Sequence, residues 1–496
     1  MPEIILALQG KVSAVPLSRD GGGFQGSCEL RLDLVPEFSP RELSGTGLEI
    51  RVVSCRRTRD GGRFDGSEEE RAALLRPFLG KPGGMPLVDV EWDGPLREWT
   101  REFPGQSFIL SYHDIQRTPP DLAAIWEDMR RWPARRFKIV TAARSWRDVT
   151  AMKPLLADAC SRRLDLTAYC LGPFGHASRL LGLLWGGGMM YVSQGAPPVP
   201  GMLSLYEFEA VYRAGRAGPG SRVYGVVGDP VDRSLSPLLH NWFFARKGTA
   251  DLYLPLPAPD PADFRAAVDA IGPAGLSVTV PHKERWLAEC VELTPDARRV
   301  GAVNTLTATP RGWEGDNTDW LGFERSLEGW LPPGRNRFVV LGAGGTARAV
   351  LHALERRGAP AGCWNRDPAR LAGLLRDFPA ARAMEAPPAG ADVVVNATSA
   401  SAAGELPMPA PALAALQAEY ALDVAYGPVP SPFLRLAAGR GWHVRDGLPM
   451  LFHQAAAQHR RWTGSDPAAN WEEARALVES HWRRSREIGG SAAPAW

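Results

Sequence analysis

The chain has 496 residues, with 57 Lys and Arg against 55 Asp and Glu, a formal charge of +2. That balance excludes the basic field of a nucleic-acid binder and leaves small metabolites open. The length exceeds one ordinary core and predicts two or three domains. The 52 glycines and 44 prolines stay below the roughly 25–30% that marks low-complexity chains, so the chain reads as globular. Cys28, Cys55, Cys160, Cys170, Cys290 and Cys363 are scattered without CxxC spacing, which fits reduced thiols and no metal site. The start MPEIILALQG lacks a basic leader, and no later window reaches ~18 apolar residues. A cytoplasmic enzyme with no membrane, nucleic-acid or obligate protein partner is expected.

In chain order, the first half offers eight short strand-like runs: IILAL, CELRLD, IRVVSC, PLVDVEW, SFILSYH, RFKIVTA, LTAYCL and GMMYVS. Helix-like patterns fall at Ser67–Leu79, Pro120–Trp132 and Ser145–Arg162, whereas Gln9–Ser27 is too glycine-rich for one. Strands with helical crossovers over roughly 200 residues predict an α/β domain, a (β/α)8 barrel. Glu29, Arg31 and Asp33 alternate on one face of the second run, Ser54 and Arg56 share a face of the third, and Lys138 lies in the sixth. His113 ends the fifth run, at the strand end where barrel enzymes place their chemistry. Two readings of Lys138 stay open. It is a barrel-core salt bridge with Glu29 or Glu91, or a desolvated amine kept partly neutral that attacks a ketone.

ELRLD, SCRRTRDGG, VDVEW, SYHD, FKI and GPFGHASR, spread over nearly all of this half, resemble the type I 3-dehydroquinate dehydratases. The resemblance implies a Schiff base between Lys138 and a ring ketone, with His113 as general base and then acid, and Glu29, Arg31, Arg56 and Arg179 holding the substrate. Two departures stand out. The lid segment SAPGQ of the family corresponds to Pro198-Val199-Pro200-Gly201-Met202, without its Ser and Gln, and the Glu of the EGG motif is shortened to Asp60.

YRAGRAGPGSR, Tyr212 to Arg222, reads as a linker. A new strand RVYGVVG follows, then Ser234 and Ser236 ahead of a helix begun near Pro237. These hydroxyls are helix caps or receivers of a ligand's carboxylate or hydroxyl. GLSVTVPHK supplies Thr279 and Lys283, GAVNTL supplies Asn304, and GDNTDWLG supplies Asp319. The run FVVLGAGGTARAV then reads as a buried parallel strand, Phe338–Leu341, a tight turn and a helix start. Gly342, Gly344 and Ala347 stand there in the GxGxxA spacing of a dinucleotide loop.

The ordered series SLSPLLHN, SVTVPHK, GAVNT, GDNTD, GAGGTARA, NRDPAR, VNATS, DVAYGP and GLPMLFHQA resembles shikimate dehydrogenase from Val223 to at least Thr463. The implied architecture has five parts: a barrel at 1–213, a linker at 214–222, a substrate lobe at 223–330, a Rossmann cofactor lobe at 331–445, and helices at 446–485 that return to the substrate lobe. The resemblance implies reduction of 3-dehydroshikimate to shikimate. Lys283 and Asp319 would manage the reacting oxygen and its proton. Ser234 and Ser236 would take the carboxylate, and Thr279, Asn304, Tyr426 and Gln454 the ring hydroxyls. Ser277 stands where many members have Asn. Cofactor contacts are implied for Gly342, Ala343, Gly344, Gly345, Thr346, Asn365, Arg366, Arg370, Asn396, Thr398 and Gly447. The basic Asn365-Arg366 and Arg370, in place of an acid at the end of the second strand, suit the 2′-phosphate of NADP(H), with Asp367 as the complication.

The two halves imply consecutive steps, with 3-dehydroquinate, 3-dehydroshikimate and shikimate as the small-molecule partners. Two alternatives stay open: a live dehydrogenase on a non-catalytic or altered barrel, and a quinate/shikimate dehydrogenase using NAD.

Overall fold

A computed structural model of the chain describes residues 3–8, 26–35, 48–80, 86–195, 197–384 and 390–489. Most of the glycine-rich interval after the first strand lies outside them. The chain forms two compact units, Met1–Tyr224 with Phe244–Pro273, and Gly225–Phe243 with Ala274–Trp496.

The first unit is built on β1 (Glu3–Leu8), β2 (Gly26–Arg31), β3 (Leu48–Ser54), β4 (Leu87–Glu91), β5 (Phe108–Asp114), β6 (Arg136–Ala142), β7 (Asp165–Leu171) and β8 (Met189–Ser193). Each pairs in parallel with its sequence neighbour from β1 to β7, and β8 pairs with β1. The seam between β7 and β8 is bridged by Gly188 N donating to Leu166 O (3.2 Å) and Met189 N to Thr167 Oγ1 (3.0 Å). This is the expected α/β barrel. Its interior carries an apolar cluster that includes Ile5, Val52, Leu87, Ile109, Val140 and Met189. Period-two alternation sends the polar residues of the same strands inward at neighbouring levels.

The crossovers depart from the expected helices where proline intervenes. Ser67 opens Glu68–Leu75 with a capping box to Glu70, and Pro77 then confines the continuation to a 3-10 turn, Arg76–Phe78. The single helix expected over Ser145–Arg162 is two, Trp146–Thr150 and Met152–Ser161. Pro154 has no N–H and its ring opposes the carbonyl of Thr150, which explains the break. Asp33, expected within the second strand, lies in the turn beyond it, because β2 ends at Arg31.

After the barrel, strands Val223–Gly228, Pro273–Val278, Thr305–Thr309, Gly312–Asp316 and Cys290–Leu293 lie side by side in that order, a mixed sheet. A second, wholly parallel sheet runs Ala381–Ala383, Ala361–Trp364, Phe338–Leu341, Val393–Asn396, Tyr420–Asp423, His443–Arg445. Its chain order 3-2-1-4-5-6 places the topological switch between Phe338–Leu341 and Val393–Asn396, the position that binds dinucleotides in such sheets.

Helix Leu448–Thr463 packs on helix Asp319–Leu327. Gly322 permits the approach, since a Cβ there would meet Met450 O at 2.6 Å. The same helix reaches the mixed sheet, where Trp462 Nε1 donates to Leu306 O (3.0 Å) and Gln458 Nε2 to Asn304 O (3.0 Å). No helix among the described residues is long and apolar enough to cross a membrane.

Candidate active sites

In the barrel, adjacent strands bring Lys138, Asp89, Ser111 and Arg56 together. Lys138 is 5% exposed, and its Nζ stands 3.4 Å from Asp89 Oδ2 and 4.0 Å from the centre of the Tyr191 ring. Ser111 lies opposite Lys138 in the β5–β6 register and donates to Asp89 Oδ1 at 2.6 Å. The expected salt-bridge partners are corrected here. Glu29 accepts from Ser54 Oγ (2.8 Å), and Glu91 is taken by Arg56 (3.0 Å) and by Arg71. Burial alone would raise the Asp89 pKa, but Arg56 and Lys138 outweigh it and hold the carboxyl below its usual range.

Arg56 is not a free fork for a ligand. Its Nη2 binds Asp89 at 2.7 Å, and its Nη1 reaches Glu91 (3.0 Å), Ser111 (3.1 Å) and His113 Nδ1 (3.3 Å). Arg31 is likewise engaged, by both oxygens of Asp33 at 2.9 and 2.7 Å. Because a guanidinium only donates, His113 Nδ1 accepts and is unprotonated. Burial, then the positive charges of Arg56 and Lys138, push the His113 pKa well below 6.5. The neutral imidazole then carries its proton on Nε2, and it can serve as a base at neutral pH through Nδ1 once Arg56 releases that nitrogen.

Arg179 is different. Its guanidinium stacks 3.9 Å over Tyr169, its Nε donates to Gly201 O (2.9 Å), and its Nη1 is buried with no hydrogen-bond partner. That orphaned donor fits an anion supplied by a ligand. Gly201 belongs to the Pro198–Met202 lid, which is also held by Gly172 N donating to Pro200 O (3.2 Å) and by His176 Nε2, 3.2 Å from Met202 O. Met202 is buried among Val140, Tyr169 and Tyr191. Asp60 is engaged by Arg57 Nε at 2.5 Å.

The second unit assembles its polar site at strand ends and a helix start. Lys283 Nζ donates to Asp319 Oδ2 at 2.5 Å and lies 3.3 Å from Thr346 Oγ1. Asn304 Nδ2 donates to Asp319 Oδ1 (2.7 Å) and to Gln454 Oε1 (3.3 Å), while Asn304 Oδ1 accepts from Thr318 N (2.8 Å) and Thr305 Oγ1 (2.7 Å). Ser234 Oγ accepts from Ser236 N at 3.2 Å, the local bond of a turn before helix Ser236–Lys247. Burial raises the Tyr426 pKa, against hydrogen bonds with Leu235 backbone and the Ser234 side chain, which place its hydroxyl beside Ser234. Thr279 packs its methyl against Gly228, where a Cβ would come within 2.3 Å of it.

The glycine loop has the shape of a phosphate cradle. Gly342 takes φ +118°, and a Cβ on it would meet Ala397 O at 2.8 Å. Gly344 is the N-cap of helix Gly345–Arg356, carries no capping side chain and has open space where a Cβ would stand. Helix N–H groups there are left for a ligand, which fits a pyrophosphate. Gly345 is packed instead, a Cβ on it falling 3.1 Å from Lys283 Cβ. Asp367 is turned to the helix that follows it. It caps helix Pro368–Asp377 by accepting from Ala369 N (2.9 Å) and Arg370 N (3.3 Å). Asn365 donates to Asp367 O (3.0 Å), and Arg366 and Arg370 are exposed, with Arg370 3.8 Å from Glu284.

Asn396 is buried and committed internally, donating to Ser401 Oγ (2.9 Å) and accepting from Thr398 Oγ1 (2.7 Å) and Thr398 N (3.1 Å), so it shapes the turn carrying Thr398. Gly447 caps the returning helix and lets the Val424 carbonyl approach, since a Cβ there would fall 2.0 Å from its oxygen.

Sequence reasoning missed Asp89, Ser111, Tyr191 and Gln458. Asp89 had a signal, two residues before Glu91 and hence on the same strand face. Gln458 stands one helical turn past Gln454, accepting from Ser277 Oγ (2.7 Å) and lying 3.2 Å from His240 Nε2. Tyr191 had none, since nothing in MMYVS says which residue faces a lysine from another strand.

Fold and site together define a Rossmann oxidoreductase carried on one chain with a lysine-bearing (β/α)8 barrel. The profile described as type I 3-dehydroquinase matches residues 27–218, and that of the shikimate dehydrogenase substrate binding domain matches residues 226–306. Shikimate dehydrogenase (NADP(+)) from Acidiphilium cryptum is 42% identical over 258 residues, 50% of this chain and 93% of the relative. That from Rhodospirillum rubrum is 40% identical over 264 residues, with 50% and 93% covered. The solved dehydroquinate dehydratase and shikimate dehydrogenase of S. pombe AroM aligns over 96% of this chain and 98% of its own at 24% identity, TM-score 0.43. The chain belongs to the shikimate dehydrogenase family, with a type I 3-dehydroquinase domain ahead of it.

Proposed function

We propose that the chain converts 3-dehydroquinate to 3-dehydroshikimate in the barrel, 1–213, and reduces 3-dehydroshikimate to shikimate in 223–485. The observation that carries the second step is Lys283, held between Asp319 at 2.5 Å and Thr346 of the glycine loop at 3.3 Å. It places an ammonium group beside both the polar substrate cluster and the cofactor cradle. When bound, NADPH supplies the hydride. Lys283 stabilises the alkoxide that develops and gives it a proton, while Asp319 orients the ammonium. Ser234, Ser236 and Tyr426 receive the carboxylate, and Asn304, Gln454 and Thr279 the ring hydroxyls. Gly342, Ala343, Gly344, Gly345 and Thr346 hold the pyrophosphate, and Arg366 the 2′-phosphate.

In the barrel, Lys138 forms the imine and neutral His113 takes the adjacent ring proton. Arg179, with its unpaired Nη1, binds the carboxylate in place of the committed Arg56 and Arg31. A second reading is favoured by the lid: with Met202 buried where an amide is usual, the barrel has altered substrate demands. All the cysteines are free thiols, which supports the cytoplasmic placement.

Separate assays of dehydration and of NADPH oxidation on the intact chain test this proposal. Borohydride with 3-dehydroquinate should leave a mass adduct on the peptide containing Lys138, and an unmodified peptide from folded protein rejects the dehydratase role. A quinate–NAD preference in initial rates rejects the shikimate–NADP assignment.

A further inference from the structure

The buried lysine of the barrel is flanked by two groups of different kinds. Asp89 approaches Nζ at 3.4 Å with a full charge, and the Tyr191 ring lies under it with its centre 4.0 Å away. Tyr191 is 3% exposed, and among the described residues its hydroxyl makes only a long contact to Met189 Sδ, 4.0 Å. Burial pushes its pKa well above 10, so it stays a neutral phenol and is no acid or base here. What it presents to Lys138 is the negative face of an aromatic quadrupole, in a site shielded from water.

We propose that the Tyr191 ring is a catalytic group of the barrel, stabilising by cation–π attraction the iminium that Lys138 forms with its ketone substrate. This rests on the Schiff-base reading above. In the first stage Lys138 gives up its ammonium proton, the neutral amine adds to the carbonyl carbon, the C=O π electrons move to oxygen, and proton transfer from nitrogen to oxygen gives a neutral carbinolamine. In the second, the nitrogen lone pair expels the hydroxyl, which takes up the proton that the ammonium released and leaves as water, and an iminium cation is left at the position Nζ now occupies. Charge appears on nitrogen in that second stage, directly over the ring. The ring therefore favours the iminium over the carbinolamine and strengthens the electron sink for the proton that His113 removes. Asp89 does not substitute for it. Its carboxylate is shared with Arg56 and Ser111.

The test replaces Tyr191 in the full chain with Phe, with mono-, di- and trifluorinated Phe, and with Leu. Single-turnover dehydration and the rate of borohydride-trapped imine are then measured. Wild-type trapping on Lys138 is the control for the Schiff base itself, so its failure is distinguishable from failure of the ring's role. Tyr191→Phe should keep the wild-type rate within about twofold. Successive fluorination, which drains the ring face with little change of shape, should lower the trapping rate stepwise to about tenfold or more below Phe, with Leu lowest. The KM for 3-dehydroquinate should move less than kcat. A fluorinated series equal to Phe overturns the proposal, as does Tyr191→Phe falling as far as Leu. Circular dichroism and the melting temperature of the full chain, unchanged across the series, confirm that each variant barrel is folded.

Discussion

Lys283 and Asp319 come from two elements, one from the turn after strand Pro273–Val278 and one from the first residue of helix Asp319–Leu327, and meet at 2.5 Å. Asn304 holds the other carboxylate oxygen at 2.7 Å, so the ammonium has a fixed direction. Lys283→Ala should lower dehydrogenase kcat by about 10²–10⁴-fold, the range of a lost acid–base group, while dehydration stays near normal. Asp319→Asn keeps the size and the Asn304 neighbour but removes the charge, and should cost less in kcat than Lys283→Ala. Parallel steady-state assays of the two reactions check both. Joint collapse of the activities in Lys283→Ala contradicts separate sites.

His113 fixes a pH prediction. Its ring is neutral well below pH 6.5 because burial, Arg56 and Lys138 all disfavour the cation. Dehydratase kcat/KM should therefore stay flat as pH falls through 6.5, with its acid limb displaced below the ordinary histidine range. The linkage has the corresponding sign. Above about pH 6.5 the ring is neutral in both folded and unfolded chains and contributes nothing. Below it the unfolded chain binds the proton first, so stability declines until the folded pKa is reached. His113→Asn should remove that part of the decline, read from denaturant midpoints across the acid range. An acid limb centred at 6.5 in kcat/KM would contradict the neutral-imidazole assignment.

Much of this was legible in the sequence because the physics is local. Phe338–Leu341 needs only four apolar residues, and Gly342 to Ala347 need only the backbone rules of a strand–turn–helix. The partners were not legible. That Lys138 meets Asp89 rather than Glu29 or Glu91 depends on depth within the barrel, which no spacing along one strand contains. Arg56 looked like a ligand fork because the sequence does not show that Asp89 and Glu91 both reach it. Asp367 looked like a charge beside a phosphate, although the following Pro368 marked it as a helix cap. Pro154 was visible, and its effect on Ser145–Arg162 follows from the missing N–H alone.

Asp367 and Arg366, adjacent in sequence, should separate on mutation. Arg366→Ala should raise the KM for NADPH about tenfold and leave that for NADH nearly unchanged, because only the 2′-phosphate gains from a guanidinium. Asp367→Ala removes two capping bonds from helix Pro368–Asp377 and should cost about 1 kcal/mol of stability with little change in the NADPH/NADH ratio. Initial rates with each cofactor, alongside thermal melts, distinguish the two effects. An Asp367→Ala variant with an unchanged melting temperature and a strongly altered cofactor ratio would show that the carboxylate acts on the cofactor.

Met202 stands where the resemblance to the dehydratases implies an amide, and its burial among Val140, Tyr169 and Tyr191 sets the cost of placing one there. Met202→Gln puts an amide in an apolar setting. Without a partner it should destabilise the chain by about 1–3 kcal/mol, the cost of an unsatisfied buried polar group. Saturating 3-dehydroquinate should return part of that loss if the substrate's polar groups meet the new amide, so the variant should show a larger ligand-induced rise in melting temperature than the parent. KM for 3-dehydroquinate should fall at the same time. Equal ligand shifts in parent and variant, with no change in KM, would mean that the lid closes over the substrate through its backbone, by the Gly201 carbonyl on Arg179, and that the side chain at 202 serves packing alone.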